Sequence, residues 1–229
     1  MGEQYLERCV DIVDAVDVLR SDAQATSGQP HGMLNVAAAA YPARKKFAPL
    51  FPPFLAAYPD VHLNLHLHDQ PISLIDEGID VAIRIGDLED SSLIAPKCGD
   101  ISLRLTASPS GLEKFGKPDS IDALASYPCL VDTTPTHGSR WPVGQRIKVD
   151  GPVTANDGEI IRQMTLAGLG ISLLPDFFVD EDIQSGALIS LFSDQIDHRV
   201  GVYLLFHSHR QLSPAARLFI DFMVEHIGG

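Results

Sequence analysis

An α/β protein of two units, the second inserted into the first, is what this sequence predicts. Strand-like apolar runs alternate with helical spacing over residues 33–86 and again over 130–175, the signature of a parallel sheet with helical crossovers. The segments at 200–206 and 213–227 then read as a strand and a helix that return to complete the first unit. At 229 residues the chain has room for two units of about 100 residues each.

The first element, within residues 1–30, is a helix with a repeat. Tyr5, Cys9, Ile12, Val16, Leu19 and Ala23 follow heptad a/d spacing, and Leu6 and Val13 widen the stripe. Ser27-Gly28-Gln29-Pro30-His31-Gly32 breaks it. An isolated helix of this length is marginal in water. Tied to a body by a Gly/Pro linker, it is expected to pair with a second copy of itself, making a homodimer through Tyr5, Cys9, Ile12, Val16 and Leu19. The alternative is that it packs on its own domain, since an ordinary amphipathic helix shows the same spacing.

Residues 33–40 read as an apolar strand. Residues 43–58 read as a helix packing through Phe47, Leu50, Phe54 and Leu55, kinked or broken at Pro49, Pro52 and Pro53 because proline lacks the N–H that a helix interior needs. Residues 61–68 alternate strictly, with Val61, Leu63, Leu65 and Leu67 on one face. A short helix is expected at 72–77 and a strand at 80–86, with two more strand-like runs before Ser108-Pro109. In the inserted unit, 130–132 is a strand, 133–140 a polar loop and 146–154 extended. The helix at 157–166 is capped by Asn156 or Asp157, with Glu159 placed as in a capping box. Gly168-Leu169-Gly170 stops it ahead of a buried strand at 171–174. The last helix opens with Ser213 as N-cap and Pro214 at its first position, and buries Leu218, Phe219, Phe222 and Ile227. The crossings between units fall near 107–109 and 198–202.

Composition narrows the function. The net charge of −13 does not suit a phosphate backbone, which needs clustered Lys and Arg; the densest basic run is Arg44-Lys45-Lys46. The acidic, amphipathic start is unlike a secretory signal, and no apolar run is long enough to span a membrane. A cytoplasmic location is therefore expected, with no membrane partner. Cys9, Cys98 and Cys129 are odd in number and far apart, so neither a disulfide framework nor a cysteine metal site is implied.

Ligands of open parallel sheets bind beyond the carboxyl ends of strands. Tyr41, Asp69, Gln70, Arg84, Asp132 and Thr133 lie at such ends. Arg84 stands one residue before the end of the apolar run Val81-Ala82-Ile83-Arg84-Ile85, which Gly86 closes. It either grips a carboxylate ligand or pairs with an acid among Asp80, Asp87, Glu89 and Asp90; the sequence leans to the structural pair. His62, Asn64, His66 and His68 share a strand face. His62 and His68 are roughly 20 Å apart at about 3.3 Å per residue, so only His66 and His68, with Asp69, could share an ion. A polar or subunit-facing surface is the expectation, and no metal is assigned. Thr136-His137-Gly138-Ser139 has no nucleophile elbow or paired acid. Gly168-Leu169-Gly170 lacks the rest of a phosphate-binding fingerprint. Asp180-Glu181-Asp182 reads as a solvated helix face.

Six stretches in order carry a resemblance: GMLNVAAA (32–39), FLAAYPDVHLNL (54–65), EGIDVAIRIGDLEDSSLIA (77–95), TASP (106–109), NDGEIIRQMTLAGLGISLLP (156–175) and LSPAARLFIDFMVEHI (212–227). Together, behind a heptad helix, they resemble the LysR-type transcriptional regulators over essentially the whole chain. The resemblance implies two Rossmann-like subdomains with a cleft between them, the type 2 periplasmic-binding-protein-like architecture, preceded by a linker helix. In these terms 1–30 is the linker and dimerisation helix. Residues 31–107 and 202–229 form effector-binding subdomain I, and 108–201 subdomain II.

The resemblance further implies a small-molecule effector held by Tyr41, Asp69, Gln70, Arg84, Thr133, Thr134 and Asn156. Tyr41 replaces the family's usual small hydroxyl residue, and Gln70 replaces an arginine found in a related subgroup. DNA would be bound only through a winged helix-turn-helix that this sequence lacks and that would precede Met1. Full-length relatives are commonly dimers or tetramers. No cofactor and no catalysis are expected. The rival readings are a transport solute-binding protein with the same two lobes, and an enzyme of that architecture, for which no convergent catalytic set is visible.

Overall fold

A computed structural model of the chain describes residues 30–68, 73–86, 93–135, 137–207 and 212–227, with backbone only at 93–94. The proposed dimer residues Tyr5, Cys9, Ile12, Val16 and Leu19, and the effector candidates Asp69 and Gln70, lie outside the described residues. Two compact units result. One comprises residues up to Gly99 together with those from Val202 onward, and the other is Asp100–Gly201.

The first unit begins with β1 (Gly32–Ala38), followed by a helical run broken into pieces. These are α1 (Ala40–Pro42), a π turn (Ala43–Phe47), a 3-10 turn (Ala48–Leu50) and α2 (Phe51–Ala57). The break expected at the prolines is real, and it falls where Pro49 cannot donate a backbone hydrogen bond. Then come β2 (Val61–Leu67) and β3 (Val81–Ile85). Strands β4 (Leu93–Ile94) and β5 (Lys97–Ala107) carry the chain into the second unit.

In the second unit, β5 is followed by α3 (Pro109–Phe115), β6 (Cys129–Asp132), β7 (Arg140–Trp141), β8 (Ile147–Lys148) and β9 (Val153–Ala155). Next are α4 (Gly158–Leu166), β10 (Ile171–Pro175), α5 (Asp176–Ser185) and β11 (Ile189–Ser190). β12 (Arg199–His207) returns to the first unit, and α6 (Pro214–Ile227) closes it. The Ser213 hydroxyl accepts from the Ala216 N–H, as the Ser-Pro helix start predicts.

The sheet of the first unit runs β2-β1-β3-β12, with β4 on β12. β1 pairs parallel with β2 and β3, while β12 pairs antiparallel with β3. Leu34, Val36, Val81, Ile83 and Leu204 are buried in it. Phe54 meets the rings of Phe219 and Phe222 edge-on at 5.2 and 5.4 Å, locking α2 to α6. A second buried cluster joins Ala37, Ala82 and Leu205 to Leu74 and Ile79.

The sheet of the second unit runs β11-β5-β10-β6-β9. β6, β9 and β10 are mutually parallel, and β5 is antiparallel to β10 and β11. Period-2 alternation sends Cys129, Val131, Ile171 and Leu173 into one cluster with Trp141. It sends Leu130 and Leu174 into another with Ile161 and Val179.

Five sequence expectations are corrected. The sheets are mixed, because the returning strands β5 and β12 run antiparallel to their neighbours. The connection before β3 at Leu74–Gly78 is a turn, not a helix, and Gly78 adopts φ 63° there. Residues 146–154 are not one extended run: Arg146 takes φ 65°, and β8 and β9 are separate. Asp157 alone caps α4, accepting from Ile160 N, while Glu159 turns to Arg162 and Gln163. Asp182 is buried at 9% exposure, so Asp180-Glu181-Asp182 is not a wholly solvated face. The leucine face of β2 is graded along the strand. It is buried at Val61 but opens to 38% and 43% exposure at Leu65 and Leu67, because β2 is the edge strand.

Candidate functional site

Parallel pairing sets the candidate residues of the first unit at one edge. Ala38 is in register with both Leu67 and Ile83. The chain therefore leaves β1, β2 and β3 at the same level, through Ala39 to Tyr41, through His68, and through Arg84 to Gly86. His68 stays anchored there, its N–H donating to Ala38 O at 3.0 Å. Tyr41 sits in α1 directly after β1 and is half-buried.

Arg84 is half-buried opposite Tyr203 of β12. Burial lowers its pKa, since removing the guanidinium from water disfavours the charged form. Among the described residues no carboxylate lies within ion-pair distance of it. Asp80, one of the acids the sequence offered as a partner, instead accepts from Asn35 N at 2.8 Å. Asp87, Glu89 and Asp90 lie outside the described residues.

The second unit repeats the design at the carboxyl ends of β6 and β9, where Asp132 is in register with Ala155. Thr133 donates twice to Ala155 O, from its N–H at 2.8 Å and its hydroxyl at 3.2 Å. Thr134 N donates to Asp132 Oδ1 at 2.8 Å, making an Asx turn. Thr133, Thr134 and Asn156 are thus gathered at one edge with their side chains exposed.

Asp132, which the sequence places at a strand end without making it an effector contact, is buried at this edge. It is 7% exposed. Burial raises its pKa, Thr134 opposes that rise through its hydrogen bonds, and the Asp157 charge adds to it. The Asp-Thr-Thr order after a strand is a local signal for such a turn.

An unselected residue is Glu77. Its Oε2 lies 3.3 Å from His68 Nε2, and the ligating atoms of His66, His68 and Glu77 all fall within 4.8 Å of one another.

Two α/β units, each presenting polar groups at the carboxyl edge of parallel strands, define a binding domain of the type 2 periplasmic-binding-protein-like class. The pattern of the LysR substrate binding domain matches residues 27–228. The transcriptional regulator CrgA of Neisseria meningitidis serogroup C is 35% identical over 232 residues, spanning 99% of this chain and 78% of the relative. DmlR of Escherichia coli K12 is 30% identical over 228 residues, 97% of this chain and 74% of the relative. The structure of Neisseria meningitidis CrgA aligns with a TM-score of 0.78 at 35% identity, covering 100% of this chain and 79% of that one. The chain belongs to the LysR family of transcriptional regulators and is its effector-binding domain, which assigns it to regulation rather than solute transport. Among the described residues no helix is long and apolar enough to cross a membrane.

Proposed function

We propose that this domain senses a small anionic effector through Arg84. The observation that supports it is the half-buried guanidinium, without a carboxylate partner among the described residues, at an edge formed by three parallel strands. A group of this kind gains most from a ligand carboxylate, which a guanidinium meets with two parallel charge-assisted hydrogen bonds. Tyr41 supplies a hydroxyl at the same edge. Asp69 and Gln70, next in sequence after His68, are further contacts that the family resemblance implies, as are Thr133, Thr134 and Asn156 on the second unit.

Effector binding would act on transcription by favouring one arrangement of the regulator over another. By linkage, DNA would then change effector affinity by the same factor. The DNA contact would come from the family's winged helix-turn-helix. Dimerisation would come from the heptad helix of residues 1–30, and the protein would work in the cytoplasm.

The test is a thermal-shift screen against small carboxylates, amino acids and aromatic metabolites, followed by calorimetry. A ligand at 100 times its dissociation constant stabilises a native-only binder by about 2.7 kcal/mol, a clear shift. Arg84→Met should lose an anionic hit at least tenfold while leaving ligand-free stability within about 0.5 kcal/mol, the usual range for a side chain with no partner to lose. A drop of about 2 kcal/mol or more without ligand would instead assign Arg84 to a structural ion pair. An anionic hit that Arg84→Met binds equally well would remove Arg84 from the site.

A further inference from the structure

We propose that His66, His68 and Glu77 form a divalent-metal site at the end of β2, with zinc as the ion their donors suit. Two imidazoles and one carboxylate are a standard three-ligand set for zinc, leaving further positions for water or an exogenous ligand. The inference is independent of the effector reading above.

The site is assembled by the backbone. Residues two apart on a strand project to the same face, and the His66 and His68 rings accordingly stack with centroids 6.4 Å apart. Both residues are fixed to β1, His66 by register with Ala37 and His68 through its N–H to Ala38 O. Glu77 arrives from the Leu74–Gly78 turn. That turn is held by Ile79 N donating to Leu74 O at 2.8 Å and by burial of both side chains against Ala37 and Ala82.

The separations suit an ion. Tetrahedral ligands at about 2.0–2.1 Å from zinc stand about 3.3 Å apart, and His68 Nε2 and Glu77 Oε2 are 3.3 Å apart already. The three ligating atoms lie within 4.8 Å of one another, so modest rotation of the half-buried His66 completes the set. Asn64 Nδ2 lies 2.9 Å from His66 Nε2 and also donates to Asn35 Oδ1. An amide N–H only donates, so Nε2 is the unprotonated nitrogen of a neutral His66 ring, and an ion bound there would displace Asn64 from its lone pair. An ion here would staple the end of β2 to the turn before β3 and constrain the connection that carries Asp69 and Gln70.

The experiment is calorimetry of the 229-residue chain with zinc chloride alone, and a visible spectrum with cobalt(II) as a geometry probe. The expected result is one tightly bound zinc per chain, a raised Tm and a tetrahedral cobalt spectrum. His68→Gln and Glu77→Gln should each weaken zinc at least tenfold, since even outer partners of a metal site cost about 10–100-fold when removed. His62→Gln should bind as the parent does, because His62 is about 13 Å along the strand from His66. No binding, or binding that survives both ligand variants, would overturn the site. Zinc lost in His68→Gln but kept in Glu77→Gln would also overturn it, leaving only a surface histidine pair.

Discussion

Arg162 on α4 holds Asp182 on α5 in a two-pronged grip, Nε to Oδ2 at 2.5 Å and Nη2 to Oδ1 at 2.8 Å. Its third prong, Nη1, reaches Glu159 at 2.8 Å. The hydrogen bond to Asp182 is the first cause of a raised Arg162 pKa, ahead of an opposing desolvation. With side-chain exposures of 19% and 13%, the pair is largely out of water. Removing one partner then strands the other's charge.

Arg162→Met should therefore lower stability by about 3 kcal/mol, the lower end for a broken buried pair. Arg162→Met with Asp182→Leu should recover most of that loss, because apolar replacement of both partners is often neutral. Urea denaturation of the two singles and the double measures this directly. A loss under about 1 kcal/mol for Arg162→Met would mean that water still screens the pair.

Gly151 and Gly170 flank the start of β6. A Cβ on Gly151 would lie 2.0 Å from Cys129 O, and one on Gly170 would lie 2.3 Å from Pro128 O. Backbone cannot rotate aside as a side chain can, and Cys129 N and Pro128 O are tied by hydrogen bonds to Asp150 O and Ile171 N. Gly151→Ala should cost about 3 kcal/mol or more, beyond ordinary overpacking. Gly186, at φ 78° with nothing near its Cβ position, is the control; its alanine variant should cost about 1 kcal/mol from backbone strain alone. Equal costs for the two variants would refute the close-approach argument.

What could be read beforehand was local. Proline chemistry marked the break in the first unit's helix, Ser213-Pro214 marked the start of α6, alternation placed β2, and short apolar runs placed β1, β3, β6 and β10. The two-unit organisation and most of the edge residues were also legible from the alternating elements; the family resemblance added the type 2 periplasmic-binding-protein-like class, Thr134 and Asn156. What could not be read depended on partners distant in sequence. Asp182 follows Asp180 and Glu181 and looks solvated until Arg162 is brought across from the neighbouring helix. Arg84 has four acids nearby in sequence, yet Asp80 is turned to Asn35 N. Glu77 joins His66 and His68 because the connection into β3 folds as a turn, whereas its sequence suggested a helix. Gly151 is exposed, and exposure alone conceals how close Cys129 O lies.

Cys98 and Cys129 should be unreactive while the protein is folded. Burial pushes the Cys98 thiol up to about 11, against an opposing backbone hydrogen bond. Burial, aided by the Asp150 charge, pushes Cys129 up to about 12. The nucleophile is the thiolate, and at pH 8 such thiols hold about one part in a thousand or less in that form. In a Cys9→Ser background, a thiol reagent at pH 8 should find no reactive group in the native protein and two after unfolding in guanidinium. Stoichiometric reaction of the native protein would show that one of these strands opens readily.

Asp132 makes the candidate edge of the second unit sensitive to pH, with a sign that can be worked out. Its folded pKa is raised, chiefly by burial, above the ordinary carboxyl value of about 3.9. Between these two values the folded state binds more protons than the unfolded one. Stability from this group therefore falls as pH rises through that window and stays lower above it. Below about 3.9 both states are protonated and the penalty disappears. Asp132→Asn removes the charge but keeps an oxygen able to accept from Thr134 N. Urea unfolding of parent and variant from pH 3 to 8 should give a difference that grows in the variant's favour from about pH 3.9 upward and then levels. Subtracting the parent cancels the other carboxylates. A difference that grows in the parent's favour would mean that the hydrogen bonds from Thr134 outweigh burial and that the ionised Asp132 is the form the folded turn prefers.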